Sequence, residues 1–155
     1  YWRNPPAHLR EREVARFPAW LMQVGLSLPK LEVLRTEVRA LGPDTWRVRF
    51  AVANAGYLPA AVTKRAVERK VARGVVFELH LPPGVSLVSG TARVVGPQLD
   101  GHGVKNSLQA FLPTRQVTGD RAVTEWVVRA PIGTRLALTA TADRAGTVRT
   151  EVTLD

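Results

Sequence analysis

The strongest constraint on the fold of this chain is a change in the spacing of its apolar residues at Leu31. Between Trp46 and Val52, large apolar side chains occupy every second position and arginines lie between them. A strand with one packed face and one wet face has this period of two. Residues 31–41 precede it across a Gly-Pro-Asp turn at 42–44, where proline suits a type I turn. The pattern predicts an antiparallel hairpin.

The same alternation continues through the rest of the chain, with turn residues between the segments. Further strands are predicted at 74–82, 85–95, 104–112, 121–129, 134–142 and 147–154. We expect a bulge at Ser89-Gly90, and a hairpin of the last two strands with Gly146 in the left-handed position of its turn. Seven or eight strands spaced about 8 to 12 residues apart, without long helices between them, favour an antiparallel immunoglobulin-like β-sandwich. A small closed barrel is the alternative.

The first thirty residues follow a different period. Their apolar side chains recur at three-to-four spacing, which is one face of a helix, and Pro18 should end or kink that helix. We predict a broken helical or extended arm over about residues 7–27, closed by Pro29. The predicted organisation is therefore an arm, residues 1–30, followed by a sandwich, residues 31–155.

The chain is basic, and one segment is especially so. Twenty-two Lys and Arg against thirteen Asp and Glu give a formal charge of +9, which attracts anionic partners without selecting among them. Within 60–73 we predict a short helix, capped by Thr63, with Gly74 just past its end. Its wet face is a candidate anion-docking site for a partner protein or a polyanion. The residues of this basic segment are Lys64, Arg65, Arg69, Lys70 and Arg73.

That basic segment need not bind anything, since a solvated helix face has the same composition. No aromatic residues alternate with its charges to stack on bases, so we expect no specific nucleic-acid binding. No apolar run approaches the length of a membrane span, and no transmembrane segment is predicted.

No catalytic constellation stands out in the sequence. His8 and Glu11 have the His-x-x-Glu spacing of a zinc-ligand pair, but they lie in a polar arm without a fixed third ligand, and we interpret the match as chance. The chain has no cysteine, and its serines lack a G-x-S-x-G elbow. Trp46 and Trp126 are predicted to anchor the core, and a carbohydrate platform is the alternative. We predict a non-catalytic segment without metal or cofactor of its own.

Several stretches resemble one known family. They are YWRNPP at 1–6, NAGYLP at 54–59, VSG at 88–90 and RAGTVR at 144–149. Together with the arm, they are similar to the junction and C-terminal β-sandwich of bacterial zinc carboxypeptidases of the carboxypeptidase A-like class. The resemblance implies an accessory domain of a secreted or cell-envelope metallocarboxypeptidase, a hydrolase that removes C-terminal residues from peptides. The zinc and its ligands would belong to the catalytic domain that precedes Tyr1.

For such an accessory domain, the expected partner is its own peptidase domain, which it would stabilise or position on peptide substrate or the cell envelope. The apolar arm supplies a candidate interdomain contact: Phe17, Trp20, Leu21, Val24 and Leu28. The alternative is a freestanding polyanion- or envelope-binding module that uses the basic segment.

Overall fold

A computed structural model describes residues 6–61, 63–104 and 119–155, and these ranges form two antiparallel sheets of four strands each. The strands are β1 (Leu31–Gly42), β2 (Thr45–Asn54), β3 (Val76–His80), β4 (Ser86–Ser89), β5 (Arg93–Val95), β6 (Arg121–Arg129), β7 (Arg135–Ala142) and β8 (Gly146–Thr153). The helices are α1 (Arg10–Val14), α2 (Phe17–Leu26) and α3 (Lys64–Glu68), with 3₁₀ turns at Ala7–Leu9 and His102–Val104.

The strand order is that of an immunoglobulin-like sandwich. The first sheet, β1-β2-β6-β4, has the A-B-E-D arrangement, and β3-β7-β8 in the second has the C-F-G arrangement, with β5 added beside β3. The predicted sandwich is confirmed, and the closed-barrel alternative is wrong because the two sheets do not join into one.

The predicted single strand over 85–95 is also wrong. The chain leaves the first sheet after β4 and enters the second sheet as β5. The break falls at Gly90, whose φ of 96° lies in the left-handed region that glycine adopts most readily. A Cβ at this position would also lie 3.2 Å from Cδ1 of Trp126. Gly90 is therefore favoured here both by its backbone conformation and by its close contact with Trp126. The chain breaks at this glycine, and the two halves of residues 85–95 join different sheets.

The two sheets enclose one core, which forms where the sequence alternation predicted an inward face. Every second residue of β2 and β6 is buried, and the rings of Phe50 and Phe77 meet edge to face at 5.7 Å. Both predicted core tryptophans are confirmed as buried. The Nε1 groups of Trp46 and Trp126 donate to Ala130 O (2.9 Å) and Thr91 O (2.7 Å), so neither indole leaves a buried donor unpaired.

Both predicted hairpins are confirmed. β1 and β2 are joined by the turn at 43–44, where Asp44 has a φ of 49°, and β7 and β8 are joined through Gly146 at 91°. The strand predicted at 104–112 falls largely on residues 105–118, which lie outside the described residues.

The predicted broken helical arm is confirmed, although the break has a different cause. α1 and α2 are separated at Ala15-Arg16, and Pro18 lies in the first turn of α2 instead of ending a helix. The first turn of a helix tolerates proline because its N–H would have no intrahelical acceptor there. Among the described residues, no helix is long and apolar enough to cross a membrane.

Candidate functional site

The C-terminal end of the arm, which we call its root, is hydrogen-bonded to the sandwich by the buried side-chain amide of Asn54. This residue follows the inward alternation of β2 and is fully buried. Its Oδ1 accepts from the N–H groups of Lys30 and Gly56, both at 3.0 Å, and its Nδ2 donates to Leu58 O at 2.9 Å and Asp100 O at 3.1 Å. One side chain thus joins the end of the arm to two loops.

Two further contacts fix the direction in which α2 leaves the sandwich. The N–H of Leu58 donates to Ser27 O at 2.9 Å, just past the last turn of the helix. Gly56 lies flat against the backbone of Leu28 and Pro29, and a Cβ at Gly56 would overlap Leu28 O. The end of α2 is therefore held against the sandwich by a backbone hydrogen bond and by close backbone packing at Gly56.

The body of α2, in contrast, is exposed. Its sequence, FPAWLMQVGL, has one polar side chain, yet none of its residues is buried. Trp20 is 60% exposed and Leu21 is 58% exposed. All five predicted interdomain residues lie on α2 or just after it and are exposed, and Met22 and Leu26 extend the same apolar surface.

The basic segment forms the single turn of α3 and the loop after it. The Oγ1 of Thr63 accepts from the N–H of Ala66 at 3.2 Å, which confirms the predicted cap. The predicted end is wrong: the helix stops at Glu68 instead of just before Gly74, and Lys70 has a left-handed φ of 54° in the loop that follows. The side chains of Val67 and Val71 are exposed, and no residue of α3 is buried.

The structure separates Arg73 from the other four cations of the basic segment. Its backbone N–H and its Nη2 donate to the two carboxylate oxygens of Asp143, at 3.1 and 3.2 Å. These bonds hold the pKa of Asp143 below its ordinary value of 3.8. Arg73 therefore ties the loop to the β7–β8 turn. Within the described part of the chain, Lys64, Arg65, Arg69 and Lys70 have no ion-pair partner.

The other candidate residues are placed without a catalytic arrangement. His8 and Glu11 lie on the exposed arm. His80, a histidine that could have served as a third ligand, lies on the outer face of the second sheet, where its Nε2 is 3.0 Å from Thr139 Oγ1. Within the ranges that the structure covers, no group of three or more His, Asp or Glu side chains could hold a metal ion. Because Trp46 and Trp126 are buried, neither can serve as a carbohydrate platform.

The profile of a family described as Domain of unknown function (DUF8731) matches residues 30–153. This chain belongs to the DUF8731 family. No curated protein sequence matches it. Among solved structures, the GAE domain of GGA2p from Saccharomyces cerevisiae is similar over 79% of this chain and 86% of that one, at 12% identity and a TM-score of 0.38.

Sequence reasoning missed the most connected polar residue of this DUF8731 chain. Asn54 entered only as part of a quoted stretch, although the alternation Trp46, Val48, Phe50, Val52 places it on the inward face of β2. A polar residue in an apolar series is a signal that buried backbone groups need a partner. Which groups those are depends on two loops, and the sequence does not place them.

Proposed function

We propose that this DUF8731 chain is a non-catalytic accessory domain that attaches to another folded domain through α2. The observation that carries the proposal is the contrast between the fixed root of the helix and its uncovered apolar body. A helix that is apolar on all sides is normally buried. The sandwich does not bury α2, so we assign its cover to a second domain.

The fixed root favours a docking role for α2 over a role as a flexible linker. Because Asn54, Gly56 and Leu58 hold the end of the helix, an attached domain would take one orientation relative to the sandwich. Ordering a preformed helix also costs less entropy on association than ordering a loose segment. Such a domain would stabilise and position its neighbour.

The finer part of the proposal concerns the neighbour, and it rests on the sequence resemblance. We propose the catalytic domain of a bacterial, secreted or envelope-associated zinc carboxypeptidase of the carboxypeptidase A-like class. Zinc would be held there by residues outside this chain and would activate the water that attacks the scissile carbonyl. The sandwich would contribute no group to that reaction.

A second candidate function is a polyanion- or envelope-binding module, favoured by the four cations at 64, 65, 69 and 70, which have no ion-pair partner among the described residues. Ionic strength separates the two functions. Binding to a phosphate- or sulfate-bearing polymer weakens steeply with added salt, whereas an apolar contact through α2 does not.

The test uses the proposed longer protein, in which a peptidase domain precedes this chain, assayed on unblocked peptides with added zinc beside the chain alone. We expect chelator-sensitive removal of C-terminal residues by the longer protein only. The double variant Trp20→Ser/Leu21→Ser should lower its thermal stability, while Arg65→Ser/Arg69→Ser, the matched control, should not. A longer protein that is inactive on every peptide would contradict the carboxypeptidase assignment, and equal stability of the two variants would contradict docking through α2.

A further inference from the structure

The outer face of the first sheet carries a second cationic cluster, which the proposed function does not use. β1, β2 and β6 present six arginines there and three carboxylates. The arginines are Arg35, Arg39, Arg47, Arg49, Arg121 and Arg129, and the carboxylates are Glu32, Glu37 and Glu125.

Two neighbouring rows across this face differ in their charge pattern. In one row, Arg49 of β2 lies between Glu37 of β1 and Glu125 of β6, so that signs alternate. In the next row, Arg39 lies directly opposite Arg47, and Val127 completes the row. Like charges directly opposite each other destabilise a sheet. The second row lacks the carboxylate that the first row has.

A bulge produces this opposition. The β1–β2 pairing shifts by one residue at two places, at Leu34 and at Leu41. Counted from the turn, the shift at Leu41 brings Arg39 across from Arg47. In the unshifted register Arg39 would pair with Val48. Bulges re-aim side chains at functional positions and are seldom accidental.

The ion pairs of the face compensate the second row only in part. Glu37 lies 2.7 Å from Nε of Arg35 and 3.9 Å from Nη1 of Arg49, and it bridges these two arginines. Glu125 reaches Nε of Arg47 only at 3.8 Å. In the described residues, Arg39 has no carboxylate partner. One more carboxylate between Arg39 and Arg47 would repeat the bridge that Glu37 makes.

The surface has room for that group. A depression of about 360 Å³ is lined by Arg35, Glu37, Val38, Arg39, Arg47 and Arg49. A water molecule takes about 30 Å³ of liquid volume, so a side-chain carboxylate and its remaining hydration fit there.

We propose that Arg39 and Arg47 form a docking point for a carboxylate on an acidic segment of a partner protein. The planar guanidinium groups match a carboxylate in paired hydrogen bonds. A protein segment fits better than a uniformly anionic polymer, because Glu37 and Glu125 interrupt the positive field and would repel successive phosphates or sulfates. The site is independent of α2 and of the basic segment.

The test exploits the cost of the like-charge pair. Arg39→Glu removes the site and places a carboxylate opposite Arg47, so it should raise the unfolding midpoint and lower the affinity for a glutamate-rich peptide by about tenfold or more. Loss of binding by a more stable protein cannot be attributed to unfolding. Binding is followed through the Nε–Hε signals of the arginines in NMR spectra.

The matched control is Arg149→Glu, which lowers the net charge equally but lies on the outer face of the second sheet. It should keep the peptide affinity within about twofold at moderate salt, because distant exposed charges are screened. Arg39→Gln removes the charge without adding a new one, and it should lose binding as Arg39→Glu does.

Four results would overturn the proposal. The first is a peptide that shifts none of the Arg39 and Arg47 signals, and the second is equal weakening of binding by both charge reversals, which would reduce the effect to net charge. Displacement of the peptide by inorganic phosphate at equal concentration would assign the site to a free anion, and tighter Arg39-dependent binding of heparin would assign it to a polymer. The expected result is peptide binding that depends on Arg39 and Arg47 and resists both competitors.

Discussion

Apolar side chains are buried in the core of the sandwich but exposed on α2. In the sandwich, the inward positions of β2, β6 and β7 are buried, and Leu138 on β7 is fully buried. On α2, leucines of the same size remain in solvent even though the end of the helix is fixed within a few residues of the core. The difference shows that the folding of the sandwich does not account for the apolar composition of α2, which is explained if another surface covers the helix.

A matched pair of leucine substitutions tests this difference in burial through its effect on stability. Leu138→Ala should lower the free energy of unfolding by about 3 to 5 kcal/mol, because it leaves a cavity between the sheets. Leu21→Ala should change it by no more than about 0.5 kcal/mol, because the side chain contacts little. Urea unfolding of the isolated chain measures both. Similar losses would mean that α2 packs on the sandwich.

The joint between the two regions gives the next largest effect. Asn54→Ala removes four hydrogen bonds and leaves buried backbone groups unpaired, so we expect a loss of about 3 kcal/mol in unfolding free energy. Hydrogen exchange should accelerate first at the amides of Gly56 and Leu58, where the arm is fastened. Unchanged exchange there, with uniform acceleration over β7, would show that Asn54 does not specifically hold the arm.

The tie between Arg73 and Asp143 should have a smaller, pH-dependent effect. The pKa of Asp143 is lowered on folding, so its contribution to stability is full above the unfolded value and is lost as the pH falls through the folded one. Asp143→Asn should therefore reduce stability by less than about 1 kcal/mol near pH 7. The difference from wild type should begin to shrink as the pH falls to about 3.8, the ordinary value for aspartate, and should disappear only below the lower pKa of the folded state. A constant difference across this range in urea titrations would contradict the link.

Alternation and turn chemistry predicted most of the sandwich because each strand buries one face. The bounds of β6 match the sequence prediction, and those of β7 and β8 differ by one residue. The split of 85–95 was missed, since an apolar run does not reveal which sheet each half joins. In the arm, the helical period predicted α1 and α2, and Pro18 misled us because proline can begin a helix as well as end one.

The candidate sites were predictable only where neighbours in sequence are neighbours in space. The apolar surface of α2 and the cations of α3 met this condition. The separate role of Arg73 depends on Asp143, seventy residues away. The opposition of Arg39 and Arg47 depends on a one-residue bulge, which alternation alone does not locate. Contacts that depend on register or on loop placement therefore required the structure.

The central claim is that another domain covers α2, and thiol accessibility tests it most directly, since the chain has no cysteine. Leu21→Cys would be labelled in the isolated chain and in the longer protein that we propose, with Ile132→Cys, 72% exposed on the turn before β7, as the control. We predict fast labelling of both cysteines in the isolated chain and strong protection of Leu21→Cys alone in the longer protein. Equal labelling of Leu21→Cys in both proteins would contradict the claim.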